Sequence, residues 1–188
     1  MRSVTRREFL DRTRRAGAAL VGGACFTVNG MADAPSESTG SQNKIGAFTK
    51  SFQDLSIPDV CRAFQEMGLD GLDLTVRPGG HIEPQDAPRE LPRAAVSARE
   101  AGTEILFLTT AITDADDQAE RLFAGAAEIG VDRIKLGYYR YAEFGTLKRE
   151  MADVRSRLRR VAKMAARHHV LPCVHIHSGK YIPSHGTQ

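Results

Sequence analysis

One repeated unit constrains the fold of this chain more than any other sequence feature. Three helix-like segments end in Glu-x-Gly, at Gly68, Gly102 and Gly130, and a short apolar run begins within a few residues of each. Glycine at this position is typical of the left-handed cap that ends a helix. The apolar runs are rich in Leu, Ile, Val, Thr, Phe and Tyr, as expected of strands. The predicted strands are residues 45–52, 71–76, 104–110, 133–139 and 171–177.

The segments between these strands have the spacing of amphipathic helices. In the longest segment, apolar residues recur at steps of three and four, which places them on one helix face. They are Leu147, Met151, Val154, Leu158, Val161 and Ala165. Polar caps precede two other segments: Ser56 stands before Ile57-Pro58, and Asp114 is the predicted N-cap of the helix that contains Ala119. From residue 44 onward, the chain therefore alternates strands with helices.

Strands that alternate with helices at a mean spacing of about 31 residues imply parallel pairing through right-handed crossovers. Two architectures fit this pattern, a (β/α)8 barrel and an open doubly wound sheet. An open sheet of the dinucleotide-binding type has a glycine-rich phosphate loop after its first strand, whereas residues 49–52 contain no glycine. The predicted fold class is therefore α/β, a partial (β/α)8 TIM barrel with about five parallel strands and about four helices.

The length of the chain indicates that this barrel is incomplete. A whole barrel has about 250 residues, and this chain has 188. We expect the chain to be truncated relative to full-length relatives and to have two open sheet edges. Because a partial barrel leaves unpaired strand edges and an unfilled core, the sequence also predicts low stability or self-association through these edges.

The first 34 residues have the features of an export signal. Six arginines precede or border an apolar run at residues 16–28, and Ala32-x-Ala34 offers a small-residue cleavage site. Residues 5–10 (Thr-Arg-Arg-Glu-Phe-Leu) resemble the twin-arginine motif of bacterial signals. A basic helix on the membrane surface is the alternative. We predict a signal peptide at residues 1–34, a flexible linker at 35–43 and the partial barrel at 44–188, with the twin-arginine export machinery as a partner and the periplasm as the destination.

The cysteines suggest neither a lipid anchor nor a disulfide framework. Lipoprotein signals usually have an apolar residue three positions before the lipidated cysteine, and Gly22 stands there before Cys25. We therefore do not expect lipoprotein anchoring at Cys25. Only Cys61 and Cys173 follow the signal, which is too few for a disulfide-stabilised scaffold.

The net charge of +3 comes from the predicted signal rather than from the barrel. Residues 1–34 hold six of the 26 basic residues and three of the 23 acidic residues, which leaves 20 of each. Only 6% of the residues are aromatic. A formally neutral domain with few aromatic residues has neither the basic surface nor the stacking platform of a nucleic-acid binder, so we expect no nucleic-acid partner.

In parallel α/β folds the active site lies at the carboxyl ends of the strands, so these positions are the first candidates. In the predicted fifth strand, Cys173, His175 and His177 share one face. Two histidines at i and i+2 lie about 6.6 Å apart along a strand, so both rings can approach one ion. His175 and His177 are therefore candidate metal ligands. The alternative is a pair of barrel-lining histidines without a metal.

Two other strand ends offer candidate substrate-binding residues. After the second strand, Pro and paired Gly would hold Arg77 and His81 over the strand ends, where they could meet an anion or a hydroxylated ligand. An ordinary surface loop with an incidental histidine is the alternative. The fourth predicted strand ends in Tyr138-Tyr139-Arg140, and we expect Tyr139 and Arg140 to contact a sugar, with Tyr138 able to face the helices instead.

Together these residues resemble a known family. The run from Gly68 to His81, which opens with Gly-Leu-Asp-Gly-Leu-Asp-Leu, is similar to the sugar phosphate isomerase/epimerase group with a xylose isomerase-like TIM barrel. Residues 45–51 and 174–179 extend the resemblance, which covers residues 44 to about 181. It implies a small-molecule sugar or sugar phosphate as the substrate and one divalent metal ion held by carboxylates and a His. It also implies proton transfer between adjacent sugar carbons, with a pair of Glu as acid and base.

The chain departs from the family pattern at its later strands. His175 and His177 stand where the family usually has its first metal-ligating Glu, and imidazoles favour zinc over magnesium. The predicted cofactor is a divalent ion, zinc, manganese or magnesium. The sequence identifies no base, so the catalytic residues stay unassigned, and the truncated chain alone is expected to be inactive.

The predicted function is that of a sugar (phosphate) isomerase/epimerase-like protein. Two alternatives stay open, a non-catalytic carbohydrate-binding or vestigial protein and a metal-dependent nuclease of the AP-endonuclease type. The predicted export and the neutral charge after residue 34 argue against the nuclease.

Overall fold

The computed structural model describes residues 43–177 and 179–182. The predicted signal peptide, Cys25 and all but the last residue of the predicted linker lie outside the described residues. Four α-helices and seven strands occur in the described part of the chain. The helices are Ile57–Glu66 (α1), Ala87–Glu100 (α2), Asp117–Glu128 (α3) and Leu147–Arg167 (α4). The strands are Gly46–Phe48 (β1), Gly71–Val76 (β2), Glu104–Thr110 (β3), Arg133–Lys135 (β4), Tyr139–Arg140 (β5), Leu171–Cys173 (β6) and Tyr181–Ile182 (β7).

Five of these strands form one parallel sheet in the order β1-β2-β3-β4-β6. Each neighbouring pair in the sheet is joined through one helix, as the strand and helix alternation predicts. The predicted α/β class, with five parallel strands and four helices as in part of a TIM barrel, is confirmed. The two remaining strands, β5 and β7, form a separate antiparallel ribbon.

The hydrophobic core lies between this sheet and its helices. Consecutive helices pack on one another, and apolar side chains from all three central strands meet them on one face of the sheet. The strand side chains are Leu74, Leu108 and Ile134, and the helix side chains include Leu91, Phe123 and Val161. Each of these six is fully buried, and burying one such side chain contributes about 1.5–3 kcal/mol. None of the helices in the described residues is both long and apolar enough to cross a membrane.

The repeated glycines have the conformation that the sequence predicts. Gly68, Gly102 and Gly130 have φ of 74°, 72° and 79°, in the left-handed region. The residue after each glycine donates its N–H back into the last helical turn, for example Thr103 to the carbonyl oxygen of Ala98 at 2.9 Å. This hydrogen bond satisfies a carbonyl that the helix end leaves free. The glycine therefore directs the chain from each of these helices into the next strand.

One predicted helix cap is wrong. Asp116, not Asp114, is the N-cap of α3, because its carboxylate accepts the N–H of Ala119 at 2.8 Å. Asp114 instead accepts two hydrogen bonds from the guanidinium of Arg160 on α4, at 3.0 and 2.6 Å. The two acids lie only two residues apart, and the tertiary partner on α4 decides which role each one takes.

Two of the predicted strands, 71–76 and 104–110, are confirmed, and the first strand is shorter than predicted. β1 ends at Phe48, and Thr49–Phe52 form a 3-10 turn rather than a continuation of the strand. The side chain of Thr49 is fully buried and accepts the N–H of Thr75 at 3.1 Å. This hydrogen bond holds the turn against β2. It stands in place of the backbone hydrogen bonds that a longer β1 would have formed with β2.

The fourth and fifth predicted strands are also shorter, for one shared reason. Leu136 donates the last hydrogen bond between them to the carbonyl oxygen of Cys173, at 2.9 Å. The next amide, that of Gly137, donates at 2.7 Å to Ile112 in the segment after β3. Pairing therefore stops, so β4 ends at Lys135 rather than 139 and β6 ends at Cys173 rather than 177.

Candidate functional site

A row of polar side chains crosses the sheet on the face opposite the helical core. Strand register aligns Thr75 of β2 with Thr109 of β3, Thr109 with Lys135 of β4, and Lys135 with Cys173 of β6. We call these four residues the inner row. In the central strands, the residues directly before the inner row belong to the apolar core. Alternation along each strand therefore places the core and the inner row on opposite faces of the sheet. The inner row lies at or near the carboxyl ends of its strands, where sites in parallel α/β folds are built.

Asp73 lies on the same face of β2 as the inner row. The hydroxyl of Thr109 donates to both of its carboxylate oxygens, at 2.8 and 3.0 Å. Burial raises the pKa of Asp73, although the Thr109 hydrogen bond and the charges of Lys135 and Arg77 act in the opposite direction. A carboxyl group with these surroundings is held in place and is able to exchange a proton nearer to neutral pH than an exposed aspartate.

Lys135 is the second titratable member of this face. Its Nζ donates to the carbonyl oxygen of Leu136 at 3.2 Å and lies 4.2 Å from the centre of the Tyr138 ring. Burial and the positive charge of Arg77 lower the pKa of Lys135, and the charge of Asp73 partly offsets them. Among the described residues, no carboxylate forms an ion pair with Lys135.

Sequence analysis identified neither Asp73 nor Lys135 as a site residue. Alternation in the second predicted strand separates Asp73 from its apolar neighbours, but alternation alone does not tell a functional carboxyl from a solvated one. Alternation within Arg133-Ile134-Lys135 also places Lys135 opposite the apolar Ile134. This alternation is the only feature of the sequence that points to Lys135. The polar residues beside it on the neighbouring strands are known only from the register of the sheet.

Beyond the strand ends, four rings pack together. Tyr138, His175, His177 and Tyr181 form this ring cluster, with centroid distances between 4.6 and 6.1 Å. The Tyr138 hydroxyl and His175 Nδ1 share a hydrogen bond of 3.1 Å. Arg140 borders the cluster, with its guanidinium 5.1 Å from the centre of the Tyr181 ring and a 3.3 Å hydrogen bond to the Tyr181 hydroxyl. The β5 and β7 ribbon brings these residues together, since Arg140 pairs with Tyr181.

The two histidines predicted as metal ligands are close together, but not for the predicted reason. His175 and His177 lie after the end of β6, so strand alternation does not align them. Their ring centroids are nevertheless 6.1 Å apart because both pack on Tyr138.

The described residues do not form a complete metal site. No group of three or more His, Cys, Asp or Glu side chains among them lies close enough together to hold a metal ion. Two charged side chains that contact rings of this cluster, Lys135 and Arg140, are cationic. Two imidazoles beside two cations do not match the carboxylate-rich set that magnesium or manganese prefers. A metal ion at His175 and His177 therefore stays a prediction.

The expected roles of Tyr138 and Tyr139 are reversed. Tyr139 is buried against Val154 of α4, and its hydroxyl donates to the carbonyl oxygen of Thr113 at 2.9 Å. Burial, with the nearby Asp114 charge, raises the pKa of Tyr139 to about 12. Tyr139 therefore packs against α4, and Tyr138 lies in the ring cluster. The exchange of the two tyrosines follows from the end of β4. At Gly137 the chain leaves the strand ladder and passes so close to the segment after β3 that an added Cβ would lie 2.6 Å from the carbonyl oxygen of Ala111. The alternation of faces along β4 therefore does not extend to the tyrosines.

Arg77 and His81 lie on the other side of the inner row. The Arg77 guanidinium lies 5.8 Å from the centre of the Phe48 ring, and it has no carboxylate partner within the described residues. It therefore stays a candidate for binding an anionic or hydroxylated ligand.

Both ring nitrogens of His81 are used by the protein. Nε2 donates to the carbonyl oxygen of Phe52 at 3.1 Å, and Nδ1 bonds to the Thr75 hydroxyl at 3.0 Å. His81 thus ties the loop after β2 to the turn after β1. Direct ligand binding by His81, which the sequence predicts, would require one of these bonds to break.

Comparison with known proteins gives likenesses of structure only. No protein-family model matches the chain, and no curated protein matches it in sequence. Among solved structures, a 3-keto-D-glucoside 4-epimerase from E. coli is 19% identical, with a TM-score of 0.55 over 73% of this chain. A sugar phosphate isomerase/epimerase from Parabacteroides distasonis is 14% identical, with a TM-score of 0.55 over 75% of this chain.

The aligned part of this chain covers only 57% and 53% of those two structures. At these identities, the likeness shows that the chain has the same fold as part of each neighbour. Both neighbours are sugar epimerase or isomerase-type proteins, and the predicted fold class is confirmed.

Proposed function

We propose that this chain is a sugar isomerase/epimerase-type protein whose inner row faces a small-molecule sugar. The observation that carries the proposal is the Asp73 and Lys135 pair, two titratable groups with oppositely shifted pKa on the face of the inner row, with Lys135 at the carboxyl end of its strand, where such folds bind ligands. The epimerase and isomerase activities of the two structural neighbours support it. The chain spans about half of each neighbour, so the activity of a whole protein belongs to the proposal.

In this proposal, Asp73 carries the transferred proton. Its carboxylate removes the proton from a carbon next to the sugar carbonyl and returns it to the adjacent carbon or to the opposite face. Thr109 holds the carboxylate during the transfer through its two hydrogen bonds. Tyr138 and Arg140 contact the sugar, the ring by stacking and the guanidinium by hydrogen bonds to hydroxyls or to a phosphate.

Hydrogen exchange tests the proposed proton transfer. We would incubate the chain in D2O with D-glucose, D-fructose and their 6-phosphates and follow loss of the C1 and C2 proton signals by NMR. The sequence alone predicts an inactive chain because it identifies no base, whereas this proposal assigns that role to Asp73. The expected result is therefore exchange with at least one sugar and a loss of about 100-fold or more in Asp73→Asn. Asp54→Asn, at an exposed turn position, is the matched control. Absence of exchange with all four sugars would contradict isomerase activity in this chain.

A non-catalytic carbohydrate-binding protein is the second candidate. The ring cluster favours it, because two tyrosines, two imidazoles and Arg140 can stack on a sugar and bind its hydroxyls without chemistry. Saturable binding of the same sugars, lost in Tyr138→Ala and unaccompanied by proton exchange, would select this candidate.

The predicted metal ion has its own test. Elemental analysis of the purified chain, before and after treatment with a chelator, would show whether zinc or manganese is bound. One metal ion per chain, lost in His175→Gln with His177→Gln, would support these histidines as ligands. Equal metal content in that double variant would contradict the assignment.

We also propose that residues 1–34 direct export through the twin-arginine machinery. The support is the Thr-Arg-Arg-Glu-Phe-Leu motif followed by a weakly apolar run. Fused to a reporter that is active only in the periplasm, the segment should give signal, and Arg6→Lys with Arg7→Lys should abolish it. Reporter signal that survives this double change would contradict the proposal.

A further inference from the structure

We propose that Lys135 is a nucleophile that forms a Schiff base with the carbonyl carbon of an open-chain sugar. This inference rests on the proposed function, because it requires a carbonyl sugar at the inner row. It assigns covalent chemistry to a side chain that the family resemblance does not single out.

The position of Lys135 is the first argument. Its register neighbours on both sides, Thr109 and Cys173, are uncharged, and no carboxylate in the described residues pairs with its amine. Nζ donates one hydrogen bond, to the carbonyl oxygen of Leu136 at 3.2 Å. A neutral amine that donates in this way keeps its lone pair available. The hydrogen bond thus positions the nitrogen without blocking its attack.

The charges around Lys135 are the second argument. Arg77, directly after β2, is cationic and disfavours a second positive charge nearby, while half-burial removes part of the hydration of the ammonium. A lysine that is desolvated and close to another cation is activated as a nucleophile. Asp73 opposes this effect, but its own pKa is raised, so it is charged over a narrower pH range than an exposed aspartate.

The chemical step balances with the groups present. The lone pair of Nζ attacks the carbonyl carbon, the carbonyl oxygen takes a proton from the Asp73 carboxyl, and the nitrogen returns one proton to the Asp73 carboxylate. Asp73 then gives this proton to the carbinolamine hydroxyl, which leaves as water while the nitrogen lone pair forms a protonated C=N bond and Asp73 is left as the carboxylate. One C=O bond becomes one C=N bond, one water is released, and no oxidant or reductant is consumed.

The Schiff base would serve the proposed proton transfer directly. A protonated C=N group withdraws electrons from the adjacent carbon, so the C–H bond there loses its proton more easily. Asp73 lies on the same face of the sheet to accept that proton. Lys135 and Asp73 together would thus supply both electron withdrawal and the base.

Reductive trapping tests the inference. The full chain would be incubated with D-fructose and sodium cyanoborohydride, then examined by intact mass and peptide mapping. We expect a mass increase of one reduced hexose at Lys135, formed several-fold faster than at an exposed lysine such as Lys163, because burial and the charge of Arg77 lower the pKa of Lys135 and leave more of its amine neutral. Because its pKa is lowered, the labelling rate at Lys135 should also reach its plateau at a lower pH than expected of an ordinary exposed lysine.

Two variants control the experiment. Lys135→Arg keeps the positive charge but cannot form a Schiff base, so the label should disappear from this site while the circular dichroism spectrum and the thermal midpoint stay close to those of the parent chain. Lys163→Met, on the exposed side of α4, should leave the Lys135 label intact. Labelling spread evenly over exposed lysines, or none at Lys135, would overturn the inference.

The outcome also separates this inference from the proposed function. Proton exchange without an adduct at Lys135 would reject the Schiff base and leave the isomerase proposal standing. An adduct at Lys135 without proton exchange would establish the nucleophile and contradict isomerase activity.

Discussion

Asp73 shows how a single residue depends on its tertiary surroundings. The burial that raises its pKa comes from the strands on either side, and the Thr109 hydroxyl that holds both oxygens comes from β3. Neither influence is local in sequence, since Thr109 is 36 residues away. The same carboxyl on an isolated strand would be an ordinary aspartate.

The raised pKa of Asp73 predicts a specific pH dependence of stability. The native state holds its proton to a higher pH than the unfolded state, so the free energy of unfolding falls as pH rises from about 4 through the native pKa. Asp73→Asn mimics the protonated carboxyl and should remove this decrease. Urea unfolding of both proteins across this range checks it, with Asp54→Asn as the control. A difference between Asp73→Asn and the parent chain that does not vary with pH would contradict the prediction.

At the scale of the element, two kinds of glycine perform different tasks. Gly102 ends α2 at φ of 72°, and a Cβ there would meet no atom within 4 Å. Gly71 opens β2, and a Cβ there would lie 2.2 Å from the carbonyl oxygen of Glu104 and 2.7 Å from Leu106 Cγ. The first glycine is required by backbone conformation and the second by the close approach of β3.

This difference predicts two distinct costs. Gly102→Ala should lower the free energy of unfolding by about 1 kcal/mol, the cost of a left-handed non-glycine residue. Gly71→Ala should cost about 3 kcal/mol or more, because the backbone of β3 must move. Urea unfolding monitored by circular dichroism compares them. Equal costs would mean that β2 and β3 are not packed as closely as the structure shows.

The first turn of α3 gives a second prediction at this scale. Asp116→Ala removes the carboxylate that caps Ala119, so it should cost about 1 kcal/mol with little dependence on salt. Asp114→Ala removes an exposed ion pair with Arg160, so its smaller effect should shrink further as salt is added. Denaturant unfolding at low and high salt tests both. A larger loss in Asp114→Ala would restore it as the helix cap.

At the scale of the whole molecule, the described sheet has two edge strands with exposed apolar residues. Ile45 and Phe48 are 57% and 38% exposed beside or within β1, and Leu171 and Val174 are 59% and 39% exposed beside or within β6. Unpaired backbone groups together with apolar side chains favour pairing with another chain. Self-association through these edges, which the sequence predicts, is therefore our proposal for the assembly of this chain.

Sedimentation velocity tests this proposal. We expect the weight-average mass to rise with concentration, and Leu171→Lys with Val174→Lys to reduce that rise, because a lysine at an edge opposes strand addition. Val96→Lys is the matched control, since Val96 is 44% exposed on α2 and away from both edges. A monomer at all concentrations, or an equal effect of Val96→Lys, would contradict edge-mediated association.

The sequence by itself determined the repeating architecture. Gly68, Gly102 and Gly130 end helices through contacts made within a few residues, and the alternation in β2 separates Leu72 and Leu74 from Asp73 within a single strand. These signals are local, so the amino-acid order is sufficient to predict the parallel sheet, its helices and their faces.

Only the tertiary structure decided where the strands end and which side chains form the site. β4 stops at Lys135 because Gly137 bonds to Ile112, and this end places Tyr138 rather than Tyr139 in the ring cluster. Alternation with a period of two predicts the face of the sheet on which a side chain lies only as far as the strand stays paired. Strand pairing depends on residues that are distant in sequence. The Asp73 and Lys135 pair likewise requires the register of three strands, which local sequence does not contain.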